Sequence, residues 1–221
     1  MAQDDHQNPS RAGDALVSAV RTGREKGGQG DTSPPPRGIA LVGMPGAGKT
    51  TVGRHLARRL GGEFIDLDAL IEERLGCKIR AFFEANGETA FRQIETETLE
   101  SLHPSPLSVL STGGGVVVQP RNRELLRERW TVMYLQSSPE ELYRRLRHDT
   151  QRPLLQVSNP LAKLRELYAQ RDPLYRQTAQ FVIETGRPSV QRLVDMIAMQ
   201  LELAGVVEQV PPRSHASPAR S

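Results

Sequence analysis

Gly43-Met-Pro-Gly-Ala-Gly-Lys-Thr50 matches the eight-residue pattern G-x-x-x-x-G-K-[ST] at every fixed position. Immediately before it, Gly38-Ile-Ala-Leu-Val42 is a short apolar run. Immediately after it, Val52, Leu56 and Leu60 recur at helical spacing. The glycines therefore sit between a strand and a helix, the context in which this pattern binds phosphate. Gly43, Gly46 and Gly48 let the backbone wrap close to an anion, and the N–H groups at the helix start point at it. Lys49 then reaches the β- and γ-phosphates, and the Thr50 hydroxyl holds Mg²⁺. An ordinary glycine-rich turn gives no reason for Lys-Thr at the helix start.

Working outward, apolar runs alternate with helical patterns. The expected strands are Ile39–Val42, Glu63–Leu67, Ser108–Thr112, Thr131–Leu135 and Gln180–Glu184. The alternation predicts an α/β fold, a parallel sheet flanked by helices. Ser138-Pro-Glu-Glu141 reads as a capped helix start with a capping box, and Asn159-Pro160 opens the next helix in a similar way. Val190, Leu193, Val194, Ile197 and Leu201 form one apolar stripe on a closing helix. In open parallel sheets ligands bind at the carboxyl ends of the strands, so the residues just after each strand are where chemistry is sought.

The ends have a different composition. Residues 1–36 are polar and broken by Gly27-Gly-Gln-Gly30 and Pro34-Pro-Pro36, which predicts a disordered extension. Residues 206–221 read as a second disordered tail, leaving 37–205 as the folded unit. No apolar run approaches a membrane span of ~20 residues. The N-terminus has neither the basic-then-apolar pattern of a secretory signal nor the composition of a transit peptide, so cytoplasm is expected. Cys77 is the single cysteine, which excludes an internal disulfide. A net charge of +3 suits an anionic ligand, while 5% aromatic residues and no basic–aromatic stripe argue against nucleic acid.

A second constellation follows the other strands. In Phe64-Ile-Asp-Leu-Asp68 the carboxylates of Asp66 and Asp68 point the same way if the strand persists. A phosphate-loop enzyme needs one carboxylate near Mg²⁺, and a kinase needs one near the acceptor hydroxyl. Equally, an aspartate here caps the helix from Ala69 to Leu75. Arg92 and Glu95 are three apart on one helix face, a spacing that ordinarily means an exposed, weak ion pair. Gly113-Gly-Gly115 directly after a strand brings backbone close to something or bends a loop.

Together, Gly43–Thr51, Phe64–Asp68, Phe91-Arg-Gln-Ile-Glu95, Gly113–Gly115, Arg152-Pro-Leu-Leu155 and Arg171-Asp-Pro-Leu-Tyr175 closely resemble shikimate kinase, in the same order and with similar spacing. The resemblance spans about residues 37–203. It implies a five-stranded parallel sheet in a three-layer phosphate-loop kinase architecture, with a lid at about 148–160. The implied activity is ATP-dependent phosphorylation of the 3-hydroxyl of shikimate, with Mg²⁺ as cofactor and a monomeric enzyme. The implied ATP site comprises Gly46, Ala47, Gly48, Lys49, Thr50 and Thr51, with Arg145 stacking on adenine and the lid residue Arg152 folding over the transferring phosphate. Asp68 is the implied base and binds shikimate hydroxyls, Arg92 and Arg171 hold its carboxylate, and Glu95 orients the arginine. Gly114 and Gly115 lie in the substrate turn, Phe83 and Phe91 wall the ring, and Thr50 with Asp66 serves Mg²⁺.

Other readings stay open on the sequence. Gluconate and nucleotide kinases share the phosphate loop, though not Arg92, the glycine triplet and Arg171 together. A nucleotide-binding regulatory module without turnover would not require Lys49, Asp66, Asp68 and Arg152. A nucleic-acid role would rest on the pI of about 9.3 alone.

Overall fold

The computed structural model describes residues 37–147, 158–186 and 188–208. Residues 148–157 of the lid expected at about 148–160, with its Arg152, lie outside them, as do residues 1–36. Five strands, β1 (Gly38–Val42), β2 (Phe64–Asp66), β3 (Val109–Ser111), β4 (Trp130–Gln136) and β5 (Phe181–Glu184), form one sheet in the order β2-β3-β1-β4-β5. Every pairing is parallel. Each expected strand is present, with no end shifted by more than one residue. The order reverses direction at β1, with β3 on one side and β4 on the other. A crevice therefore opens at the carboxyl end of β1, where the chain runs into Gly43.

The helices are α1 (Lys49–Leu60), α2 (Leu67–Leu75), α3 (Ile79–Ser101), α4 (Pro120–Arg129), α5 (Pro139–Leu146), α6 (Pro160–Thr178) and α7 (Val190–Leu203), with a 3-10 turn at Val116–Val118. They fall into two sets: α1 packs with α7, β2 and β3, whereas α4 packs with α3, α6 and β4. All five residues of β1 are buried, which the apolar run Gly38–Val42 requires of a central strand. Trp130 and Tyr134 of β4 and Tyr175 of α6 are among the largest fully buried side chains. In α7, Leu193, Val194, Ile197 and Leu201 are buried, each worth about 1.5–3 kcal/mol of transfer free energy. Val190, the first residue of the helix, lies at the edge of the stripe and stays 36% exposed.

The helix starts follow the sequence signals. Ser138 and Glu141 make the reciprocal capping box at α5, and Asn159 accepts from the Ala162 N–H at the start of α6, with Pro160 in the first turn. Beyond the expected boundary at 205, Val207 is buried in the core.

One expectation is corrected here. The second strand does not persist to Asp68, because Asp66 takes the N-cap position of α2 and its Oδ1 accepts from the Ala69 N–H at 3.4 Å. Asp68 stands in the first helical turn, and the two carboxylates meet different partners, Asp66 the Thr50 hydroxyl and Asp68 the backbone at Gly113.

Candidate active site

The phosphate loop joins β1 to α1. Gly46 and Gly48 adopt φ of 83° and 95°, a region other residues rarely enter, and α1 begins at Lys49. Ala47 is buried and Thr51 exposed. The Lys49 ammonium folds back over the loop, Nζ donating to the carbonyls of Gly43 at 2.8 Å and Met44 at 3.1 Å. At the next residue, Thr50 Oγ1 donates to Asp66 Oδ2 at 3.3 Å and lies 3.2 Å from Ser111 Oγ. A hydroxyl from α1, a carboxylate from the end of β2 and a hydroxyl from the end of β3 thus meet beside the loop. Ser111 carried no sequence signal beyond its place two residues before the glycine triplet.

The second cluster is built around that triplet. A Cβ at Gly113 would stand 2.8 Å from Asp68 Oδ1 and 3.1 Å from Glu95 Oε1, so the two carboxylates flank the glycine backbone. A Cβ at Gly115 would stand 2.5 Å from Arg92 Nη1 and 2.6 Å from its Cζ. The guanidinium therefore lies directly on the chain. The carbonyl of Gly114 accepts from Arg171 Nη1 at 3.1 Å and from the Tyr175 hydroxyl at 2.5 Å. On its other side Gly114 abuts Pro45, where a Cβ would come within 2.6 Å of Cδ. The phosphate loop and the triplet thus touch.

The pair expected to be an exposed ion pair is buried. Arg92 is 8% exposed and Glu95 fully buried, with Arg92 Nη1 donating to Glu95 Oε2 at 2.7 Å. Burial pushes the Glu95 carboxyl above its usual range; Arg92 opposes this and the nearby Asp68 adds to it. Burial alone would lower the Arg92 pKa, but Glu95 and Glu88 outweigh it and hold the cation more firmly. Phe83 and Phe91 pack with ring centroids 4.5 Å apart, and the Arg92 guanidinium lies 5.3 Å from the Phe91 ring.

The structure thus gathers Asp68, Arg92, Glu95, Gly114, Gly115 and Arg171 around one turn, and Thr50 with Asp66 beside it. Arg145 stands apart from both groups. It ties α5 to the ends of β4 and β5, its Nη1 donating to Ser137 Oγ at 3.3 Å and to Thr185 Oγ1 at 3.4 Å. At the same edge of the sheet lies a cavity of about 620 Å³, lined among others by Gln136, Ser138, Tyr168, Glu184 and Pro188. Only Arg171 of the Arg171–Tyr175 motif had a role assigned from sequence. Tyr175 stacks on Tyr134 at 4.8 Å, and Asp172 accepts from the Tyr134 hydroxyl at 2.9 Å.

The family model described as shikimate kinase matches residues 45–202. The shikimate kinase of Paracidovorax citrulli is 58% identical over 175 residues, covering 78% of this chain and 96% of that protein. The shikimate kinase of Ralstonia nicotianae is 55% identical over 174 residues, 79% of this chain and 90% of the relative. Among solved structures, shikimate kinase from Acinetobacter baumannii in complex with shikimate superposes with a TM-score of 0.72 at 48% identity, covering 76% of this chain and 94% of that one. With a family model over most of its length and relatives above half identity across nearly all of theirs, the chain belongs to the shikimate kinase family.

Proposed function

We propose that the chain transfers the γ-phosphoryl group of ATP to the 3-hydroxyl of shikimate, giving 3-phosphoshikimate and ADP in the route to chorismate and the aromatic amino acids. The observation that carries this is the meeting of Pro45 in the phosphate loop with Gly114 in the turn that Asp68, Arg92, Glu95 and Arg171 surround. A phosphate donor and a carboxylate-bearing acceptor would thereby be held on either side of one contact. Phosphoryl transfer needs little covalent chemistry from the protein, so positioning and charge supply the rate.

In this reading the shikimate hydroxyl oxygen bonds to the γ-phosphorus as the bond to the β-bridging oxygen breaks and ADP leaves. Asp68 orients that hydroxyl and takes its proton. Arg92 and Arg171 present planar, two-point donors to the substrate carboxylate, and Phe83 and Phe91 wall its ring. Gly114 and Gly115 supply the backbone it lies on. Lys49 neutralises charge on the transferred group, with the N–H groups of Gly46, Ala47, Gly48, Thr50 and Thr51 at the helix start. Arg152, outside the described residues, is assigned to the phosphate and Arg145 to the adenine.

Thr50 and Asp66 offer a hydroxyl and a carboxylate together, the hard oxygen donors that Mg²⁺ favours, so they would hold the ion directly or through water. Bound there, it would neutralise charge on the β- and γ-phosphate oxygens.

No helix among the described residues is long and apolar enough to cross a membrane. We place the enzyme in the cytoplasm as a monomer, with no nucleic-acid partner. The test is coupled ADP release with shikimate, gluconate or a nucleoside monophosphate as sole acceptor. Turnover with shikimate alone is expected. A preference for either other acceptor, or salt-sensitive RNA binding without kinase activity, would replace this reading.

A further inference from the structure

Arg92 holds its guanidinium between two carboxylates of unlike standing. Glu95, fully buried, takes Nη1 at 2.7 Å. Glu88, whose side chain is 63% exposed, takes Nε at 3.2 Å and Nη2 at 3.1 Å on its single Oε1. A guanidinium offers a planar carboxylate two two-point edges, Nε with Nη2 and Nη1 with Nη2. Here the Nη1/Nη2 end is packed against Gly115, and the Nε/Nη2 edge is filled by Glu88. A carboxylate that seeks a two-point contact with Arg92 must therefore displace Glu88.

The local backbone suits such a displacement. α3 is broken at Gly87, which adopts φ 79° and ψ 177°, so Glu88 opens the second helical segment. Nothing lies within 4 Å of where a Cβ at Gly87 would stand. Glu88 is thus the first side chain after a break with open space beside it, while Glu95 is fixed two turns inside the core. Glu88 is also the solvent-facing member of the two carboxylates and holds Arg92 through one oxygen, which makes it the exchangeable partner.

We propose that Glu88 is an internal competitor for the acceptor's carboxylate. It occupies the free edge of Arg92, keeps the buried cation paired and oriented, and yields to a ligand carboxylate. The proposal rests on the functional reading above, in which Arg92 holds the carboxylate of shikimate. It also gives the site selectivity: an acceptor without a carboxylate leaves Glu88 on Arg92 and gains nothing from the guanidinium, so uncharged polyols are disfavoured.

The test uses full-length Glu88→Ala and Glu88→Gln, with Glu84→Gln as control, since Glu84 is exposed and pairs with Arg80. Shikimate dissociation constants are measured by titration calorimetry, alongside kcat, both KM values and a thermal melt. Removing a competitor is expected to lower the shikimate dissociation constant about two- to five-fold in Glu88→Ala and by a smaller factor in Glu88→Gln. The KM for ATP and the control are expected to be unchanged. Should the alanine variant fail to fold, the glutamine variant decides. An unchanged or raised dissociation constant in an otherwise active enzyme overturns the proposal alone, a rise meaning that Glu88 positions Arg92 instead of competing for it. A wild-type chain that neither binds nor phosphorylates shikimate removes the functional reading and this proposal with it.

Discussion

Asp172 gathers donors from three directions: the Tyr134 hydroxyl at 2.9 Å, Arg176 Nε at 2.8 Å and Gln136 Nε2 at 3.4 Å. These bonds pin α6 to β4 one residue from Arg171. Burial would raise the Asp172 pKa, but Arg176, Tyr134 and Tyr168 outweigh it and hold the carboxyl below its usual value. A carboxyl whose folded pKa is depressed stabilises the fold above its unfolded pKa and loses that contribution as pH falls through the folded value. Asp172→Asn is therefore expected to cost about 1–3 kcal/mol near pH 7, with the gap to wild type closing as pH falls below the usual aspartate range. Urea midpoints at several pH values check this, and a gap independent of pH would contradict it. Asp68 Oδ1 lies against the acceptor turn at Gly113, so Asp68→Asn is expected to lower kcat by about 10²–10⁴-fold while leaving ATP affinity near wild type. Nucleotide titration and steady-state rates separate the two, and near-normal turnover would remove Asp68 from its role.

At the scale of elements, the triplet after β3 is where helices from both halves of the chain converge. Gly113 is the sharpest probe of it, because a methyl group there would meet Asp68 Oδ1 at 2.8 Å and Glu95 Oε1 at 3.1 Å, two side chains instead of the sheet itself. Gly113→Ala is expected to raise the shikimate KM at least tenfold while the melting temperature moves by only a few degrees. A wild-type KM would mean that the two carboxylates move aside freely. The strands and the phosphate loop were legible in the sequence because buried parallel strands are continuous apolar runs and the loop pattern is fixed by phosphate geometry. The end of β2 was not, since Leu67 continues the apolar run past Asp66 and conceals the cap. Nor was the burial of Arg92 and Glu95. Three-residue spacing reports a shared helix face but not what covers it, and here the cover is the backbone at Gly113 and Gly115. Ser111 was invisible for the same reason, since its partner Thr50 is brought to it by tertiary packing.

For the whole molecule, the sheet order explains why one site suffices. Reversal at β1 opens the crevice that receives the phosphate loop, and the neighbouring ends of β2 and β3 bring Asp66, Asp68 and the triplet to its rim. All of this is assembled from residue 38 onward. Gly38 already pairs with Trp130, and the Ile39 N–H donates to the Ser108 carbonyl at 2.8 Å, so the central strand is paired on both sides from its first residues. The family match begins later still, at residue 45. Chain 37–221 is accordingly expected to keep kcat and both KM values within about twofold of full length, since it contains every strand of the sheet and every residue assigned to the site. Steady-state kinetics of the two forms at equal concentration tests this. A truncated chain that is soluble and folded by circular dichroism yet inactive would mean that residues 1–36 act on the site itself, and a truncated chain with lowered melting temperature but normal kcat would assign them to stability.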